Sequence, residues 1–73
     1  MSNVDFEITQ ELGILSTTPK GWTKELNLVS WNGKEPKYDL REWSPNHERP
    51  GKGVVLSVEE ISKLQELLNK LSD

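Results

Sequence analysis

The segment VEEISKLQELLNKL, residues 58–71, constrains the fold most strongly, because its apolar side chains recur with the period of an α-helix. Ser57 precedes it and Glu60 lies three residues further on, which is the capping-box pattern of a helix N-terminus. At 100° per residue the apolar side chains cover an arc of roughly 180°, wider than the ~100° that contact with one sheet requires. We therefore expect a helix that packs on its own domain and also on a second copy of itself. The dimer-interface residues predicted on this helix are Ile61, Leu64, Leu67, Leu68 and Leu71.

Four segments before the helix alternate apolar and polar residues with the period of a β-strand. They are FEITQELGILS, WTKELNLVSW, KYDLREW and KGVVLS, at residues 6–16, 22–31, 37–43 and 52–57. The first predicts a long strand that is bent or bulged near Gly13. The apolar residues predicted on one side of that strand are Phe6, Ile8, Leu12 and Ile14. Asn-Gly at positions 32–33, between two alternating segments, predicts a β-hairpin.

These elements predict one α+β domain over residues 1–73, in the order β-β-β-β-α. A curved four-stranded antiparallel sheet would carry the C-terminal helix. The chain has 73 residues, no cysteine and one histidine, so neither a disulfide nor a metal site is expected to stabilise it. Since small domains commonly depend on a disulfide, a metal or a partner subunit, the composition favours a homodimer.

No feature of the sequence predicts an enzyme. His47 lies in a polar loop without a nucleophile beside it and is expected to be an ordinary surface residue. No cofactor and no small-molecule substrate are expected. The segment MSNVDFEITQ lacks the pattern of a signal peptide, and no segment approaches the ~20 apolar residues of a membrane span. A cytoplasmic protein without membrane contact is therefore expected.

Positive charge and tryptophan coincide in the middle of the chain. The formal net charge of the whole chain is −3, but residues 20–56 contain seven basic and five acidic residues and all three tryptophans. Charge distribution is more informative about nucleic-acid binding than the total. The acidic total therefore does not exclude a nucleic-acid partner.

Strand alternation places these tryptophans beside basic residues. We expect Leu26, Leu28 and Leu40 to face the core, and alternation then directs the neighbouring side chains of the same strands to the opposite face. The residues directed to the opposite face are Trp31, Arg41 and Trp43. Aromatic rings stack on unpaired bases while cations contact phosphates, so such a face is typical of single-stranded nucleic-acid binding. The predicted ssDNA-binding residues are Lys20, Trp22, Lys24, Trp31, Lys34, Lys37, Arg41, Trp43 and Lys52.

Other interpretations of the same residues stay open. Each tryptophan is also compatible with a place in the core or the dimer interface, and Trp22 shares the alternation of Leu26. Asp39 lies two residues before Arg41 on the same face, so a local ion pair is an alternative role for that arginine. The segment PGKG lacks the spacing of a phosphate-binding loop and is interpreted as a turn with one cation.

Three motifs in order resemble a known family. SWNGK, YDLREW and RPGKGVVLS, followed by the capped helix, are similar to the single-strand DNA-binding transcriptional coactivator positive cofactor four, and closest to the small bacterial YdbC-like members of that family. The resemblance covers roughly residues 20–72. It implies a homodimer whose curved sheets form channels for single-stranded DNA, bound with little sequence preference. By position, the resemblance assigns DNA contacts to Trp31, Lys34, Arg41 and Lys52.

We therefore expect a homodimeric single-stranded DNA-binding protein with a part in transcription, replication or repair. A single-stranded RNA binder such as an RNA chaperone is one alternative, because stacking on a sheet does not read the 2′-hydroxyl. A second alternative is a protein-interaction module that uses the tryptophans as a binding hot spot.

Overall fold

Four antiparallel strands followed by one helix make up the fold, which confirms the predicted α+β architecture. The computed structural model describes residues 5–71. Its elements are β1 (Phe6–Thr17), β2 (Thr23–Trp31), β3 (Lys37–Trp43), a 3-10 turn (Pro45–His47), β4 (Pro50–Leu56) and α1 (Val58–Leu71). The strands lie side by side in the order β1-β2-β3-β4. Each neighbouring pair is antiparallel and consecutive in the chain, so local connections build the whole sheet.

The predicted hairpin turn and the predicted helix cap are both present in the structure. Asn32 and Gly33 have φ angles of 54° and 75°, the left-handed region that asparagine and glycine tolerate best. The Lys34 N–H donates to the Trp31 carbonyl oxygen at 3.0 Å and closes this turn. At the helix start, the Ser57 N–H donates to Glu60 Oε1 at 2.8 Å, and the Glu60 N–H donates to Ser57 Oγ at 3.1 Å. This reciprocal pair is the capping box that the sequence predicts.

β1 is interrupted by irregularities in its pairing with β2. The register shifts between Ile8 and Gln10, between Glu11 and Gly13, and between Ile14 and Ser16. The bulge predicted near Gly13 is therefore confirmed, and two further shifts accompany it. Phe6, Ile8 and Ile14 lie on one side of the strand, as predicted, but Leu12 lies at the middle shift without a paired residue and does not share that register. Each bulge inserts one residue and increases the local twist and bend of the strand.

The two sheet faces differ in composition. The tryptophan face carries Glu25, Asn27, Val29 and Trp31 of β2 with Asp39, Arg41 and Trp43 of β3. The leucine face carries Leu26 and Leu28 of β2 with Tyr38 and Leu40 of β3. The pairing of Leu26 with Leu40 and of Asn27 with Asp39 confirms the predicted alternation.

The tryptophan face is strongly concave. Trp43 pairs with Thr23 at one end of β2, and Trp31 lies at the other end, about 26 Å further along an extended strand. Nevertheless the Trp31 and Trp43 ring centroids are only 6.3 Å apart and their planes differ by 7°. The sheet must therefore bend around this face, as the bulges in β1 allow.

This curvature reverses the expected position of the core. Within residues 5–71, the buried apolar residues are Val29 and Trp43, both 0% exposed and both on the tryptophan face. Leu26, Leu28 and Leu40 are only half-buried on the other face. The expectation that the leucines form the core and that Trp43 lies outside it is wrong, because the concave side of a curled sheet encloses its own side chains.

The helix covers the leucine face incompletely. A groove of about 230 Å³ lies between β2 and α1, and its apolar lining residues include Leu26, Ile61, Leu64 and Leu68. No residue of α1 is buried, and Leu67, Leu68 and Leu71 are 49%, 54% and 79% exposed. This helix, the one α-helix in the described part of the chain, lacks the length and apolarity needed to cross a membrane.

The segment PGKG belongs to β4, so its interpretation as a turn is wrong. Its second glycine, Gly53, pairs with Arg41 of β3. A Cβ atom at Gly53 would lie 2.5 Å from the Leu40 carbonyl oxygen and 2.6 Å from the Arg41 Cα. Glycine is therefore required where β4 passes closest to the arginine of β3.

Candidate nucleic-acid interface

Four rings fill the concave tryptophan face. Phe6 lies with its ring centroid 6.0 Å from Trp31 and 5.0 Å from Trp43, tilted by about 50° to each. The His47 ring meets Trp43 edge-on at 5.4 Å. Tilted and offset contacts of this kind are the favourable arrangements of aromatic rings. The concave face therefore has an aromatic centre that joins β1, β2, β3 and the 3-10 turn.

Arg41 lies on top of this aromatic centre, over Trp31. Its Cζ atom is 4.7 Å from the centroid of the Trp31 ring, within the range of a cation–π interaction. Arg41 Nε and Nη2 donate to Asp39 Oδ1 and Oδ2 at 2.7 and 2.9 Å. The ion pair with Asp39 that the sequence left open as an alternative is therefore present. The same Asp39 carboxylate accepts a 3.2 Å hydrogen bond from Trp31 Nε1.

Two grooves contain four of the lysines predicted for DNA binding. The first has a volume of about 310 Å³ and is lined by Trp31, Lys34, Glu35, Lys37 and Val55. The second has a volume of about 340 Å³, and its basic lining residues are Lys24, Arg41 and Lys52. Because Lys24, Leu40 and Val54 line it, the second groove lies on the leucine face. The first groove lies beside Trp31 on the tryptophan face. Within residues 5–71, the ion pairs do not involve the four lysines of these grooves.

The remaining predicted residues lie further from the stack. Lys20 is exposed in the turn before β2. Trp22 is half-buried, and its ring lies over Gly51, where a Cβ atom would come within 3.1 Å of it. Lys24 pairs with Glu42 and so belongs to the leucine side of β2 rather than to the tryptophan face. The structure therefore brings Trp31, Lys34, Lys37 and Arg41 together most closely.

Trp43 offers no accessible ring face in this arrangement. Its side chain is 0% exposed beneath Phe6, Trp31 and His47. A base could reach it only after these rings moved apart. Its assignment to DNA binding remains a prediction from the sequence, and its burial weighs against that assignment.

A buried polar cluster beside the aromatic centre was not predicted. Glu25 is 3% exposed, and its carboxylate accepts hydrogen bonds from Thr23 Oγ1 at 2.5 Å and Asn27 Nδ2 at 2.9 Å. His47 Nε2 lies 2.8 Å from Glu25 Oε2, so His47 is not the ordinary surface residue that its loop suggests. Glu25 and Asn27 are two residues apart in β2, and this spacing indicated that both polar side chains share one face of the strand. Nothing in the sequence indicated the contact of Glu25 with a histidine 22 residues away.

These contacts change the acidity of Glu25. Burial raises the pKa of the Glu25 carboxyl, but hydrogen bonds from Asn27, Thr23 and His47, with the charge of His47, outweigh that effect. The pKa therefore lies below its ordinary value of 4.5. A carboxyl with a depressed pKa in the folded state stabilises the fold above its unfolded pKa, and this contribution is lost as pH falls through the folded pKa.

We expect the Glu25→Gln variant to lose this pH-dependent contribution. Between neutral pH and about pH 3, the free energy of unfolding should fall less for Glu25→Gln than for the unmodified chain, because the variant lacks the titrating group. Urea unfolding followed by circular dichroism at several pH values measures both curves. Glu11→Gln makes the same change at an exposed position of β1 and is the matched control. Parallel curves for the unmodified chain and Glu25→Gln would contradict the prediction.

Within residues 5–71, no group of three or more histidine, cysteine, aspartate or glutamate side chains is arranged to hold a metal ion. The polar groups of the candidate site are instead paired with one another or border the two grooves. The arrangement is suited to binding a flat, anionic ligand through ring stacking and ammonium groups.

Comparison with known proteins is consistent with this arrangement. A family model described as Transcriptional Coactivator p15 (PC4) matches residues 18–67, which include β2, β3, β4 and most of α1. A protein of Treponema pallidum (strain Nichols), described as an uncharacterized protein, is 49% identical over 67 residues. That match covers 92% of this chain and 79% of the relative. By this match the chain belongs to the family of the transcriptional coactivator p15 (PC4).

Proposed function

We propose that this protein is a homodimer that binds single-stranded DNA with little sequence specificity. The observation that carries the proposal is the half-exposed Trp31 ring under Arg41, beside a groove that also contains Lys34 and Lys37. Unpaired bases present π-faces to such a stack, and lysines along a groove contact the phosphates between them. A duplex hides its base faces, so this surface favours single strands. Membership of the coactivator family supports the same partner.

The groove chemistry favours low sequence specificity. Stacking accepts any base because every base has a π-face, and lysines recognise phosphates rather than base edges. The polar groups that would read base edges are engaged within the protein: Asp39 with Arg41 and Trp31, and Glu25 with Asn27 and His47. Transcription, replication and repair all expose single-stranded DNA, and the coactivator family favours a role in the first of these.

The helix supports the homodimer. None of the residues of α1 is buried by its own sheet, although the segment is amphipathic along its whole length. Val54 of β4, which pairs with Leu40 of the leucine face, is also 53% exposed. An amphipathic helix gains most of its stability in proteins from packing its apolar face. The same helix of a second copy of this chain offers a matching apolar face, and that copy is always present in solution.

Fluorescence titration with oligonucleotides tests the proposed function. Oligo(dT) is expected to quench tryptophan emission at concentrations where an equivalent duplex does not. Trp31→Ala should weaken binding by about 1–3 kcal/mol, the range found for loss of one stacking residue. Trp31→Phe keeps an aromatic face and is the matched control, which should retain most of the affinity. Equal binding of duplex and oligo(dT) would contradict the proposal.

The same titration distinguishes the two alternatives. Oligo(U) binding much more tightly than oligo(dT) would favour a single-stranded RNA partner, since the 2′-hydroxyl is the group that separates the two. No response to any oligonucleotide would favour a protein partner that uses Trp31 and Arg41 as a hot spot.

A further inference from the structure

Arg41 is held by three hydrogen bonds that leave its charge largely compensated. Nε and Nη2 donate to the two oxygens of Asp39, and Nη1 donates to the Gly51 carbonyl oxygen at 3.0 Å. A guanidinium has five N–H donors, so most of them are already engaged within the protein. The Asp39 side chain is 0% exposed and that of Arg41 is 15% exposed. Little of the arginine is therefore available as a free cation.

The plane of the guanidinium is fixed at the same time. The fork-shaped contact with Asp39 sets its orientation, and the Gly51 carbonyl oxygen fixes the third nitrogen. The group then lies over the Trp31 ring, which Asp39 also holds through Trp31 Nε1. The buried Asp39 carboxylate thus positions both the Arg41 guanidinium and the Trp31 ring beneath it.

We propose that Asp39 makes Arg41 a stacking surface for a nucleobase rather than a phosphate ligand, so that Asp39 is a positioning residue of the site. This inference rests on the proposed function. A planar guanidinium stacks on aromatic rings, and a base can use its outer side as it would use an aromatic side chain. Phosphate contacts then fall to Lys34 and Lys37, which border the Trp31 groove. Among the described residues, the ion pairs include neither lysine.

The dependence of binding on salt separates the two roles of Arg41. Each phosphate contact contributes about −0.7 to the slope of log K against log salt for single strands, whereas stacking contributes nothing to it. We therefore expect Arg41→Ala to weaken oligo(dT) binding about tenfold or more without changing the slope. Lys34→Ala, the matched control, should make the slope shallower by about 0.7.

Arg41→Lys distinguishes the two roles more clearly. Lysine keeps the positive charge and can still pair with Asp39, but it lacks the planar guanidinium group. As a phosphate ligand, lysine would retain the affinity; as a stacking surface, it should lose about as much as alanine does. Retained affinity in Arg41→Lys, or a slope shallower by about 0.7 in Arg41→Ala, would overturn the inference while leaving DNA binding intact. Absence of oligo(dT) binding by the unmodified chain would overturn the proposed function and this inference together.

Asp39→Asn tests the positioning residue itself. The change keeps the size of the side chain and an oxygen for Trp31 Nε1, but it leaves the Arg41 charge without a counter-charge. A phosphate should then take the place of the carboxylate, and the slope should become steeper by about 0.7. A purely structural role of Asp39 would lower the affinity without steepening the slope, and that result would overturn the proposal. Amide spectra establish that the variant is folded; if it is not, the two Arg41 variants decide the question.

Discussion

Replacing Trp43 with alanine is expected to lower the free energy of unfolding by about 3–5 kcal/mol, the usual cost of removing a large buried aromatic side chain. Trp43 is 0% exposed and packs against Phe6, Trp31 and His47. Only Val29 shares its status as a buried apolar residue in the described part of the chain. A loss of this size is a large share of the stability of a 73-residue domain. Urea unfolding followed by far-ultraviolet circular dichroism measures it.

Trp43→Phe is the matched control for this prediction. Trp43 Nε1 is buried and has no hydrogen-bond partner within residues 5–71, so phenylalanine removes no polar contact described there. The smaller ring fills most of the same space, and its cost should be well below that of alanine. If Trp43→Ala were as stable as the unmodified chain and bound oligo(dT) more weakly, Trp43 would be a stacking residue and its burial would be irrelevant to folding.

Local signals in the sequence were sufficient to predict the elements of the fold. The predicted and observed helix bounds agree at Val58 and Leu71, and the bounds of β3 agree at Lys37 and Trp43. These elements depend on periodicity and on caps that act within a few residues, such as the Ser57–Glu60 pair. The alternation of β2 and β3 was also predictable, because each strand has an uninterrupted period of two.

The sequence predicted a curved sheet, but the same signals did not indicate which of its faces is concave. Alternation separates two faces but does not say which one is concave. Irregularities such as the three register shifts in β1 change the bend and twist of a strand, and they have no periodic signal in the sequence. Trp31 and Trp43 lie on the predicted face, but Trp43 is enclosed there while Trp31 is half-exposed. The contact of His47 with Glu25 depends on the same curvature and on the positive φ of 56° at His47. Burial and long-range contacts therefore required the three-dimensional structure.

The ion pair of Asp39 with Arg41 was predictable from the sequence only in part. Its two partners are close in sequence on one strand face, so the sequence suggested the pair as an alternative to a phosphate contact. The sequence did not indicate that the paired Arg41 would lie over Trp31, because Trp31 is at the end of β2, several residues from the positions that pair with Asp39 and Arg41. Curvature thus converts a local pairing of charges into part of the candidate binding site.

Leu68→Lys is expected to separate the proposed dimer. In a two-fold symmetric interface each substitution occurs twice, so any local cost is doubled. Removing one buried leucine side chain costs about 1.5–3 kcal/mol, before the cost of placing an ammonium group against apolar surface. The doubled loss of about 3–6 kcal/mol would raise the dissociation constant by roughly two to four orders of magnitude. Leu68 is 54% exposed in the single chain, so the fold itself should tolerate the change.

Sedimentation equilibrium measures this loss directly. The unmodified chain should have about twice its subunit mass of 8.4 kDa, whereas Leu68→Lys should approach 8.4 kDa at the same concentration. Ser62→Lys adds the same side chain to the same helix, but about 120° away around the helix axis from Leu68, and is the matched control. The apolar face of α1 is unburied in the single chain, so dimer formation should stabilise the fold. The unfolding temperature should therefore rise as the protein concentration rises. An unmodified chain that sediments as a folded monomer, with an unfolding temperature independent of concentration, would exclude the homodimer and leave α1 without its proposed partner.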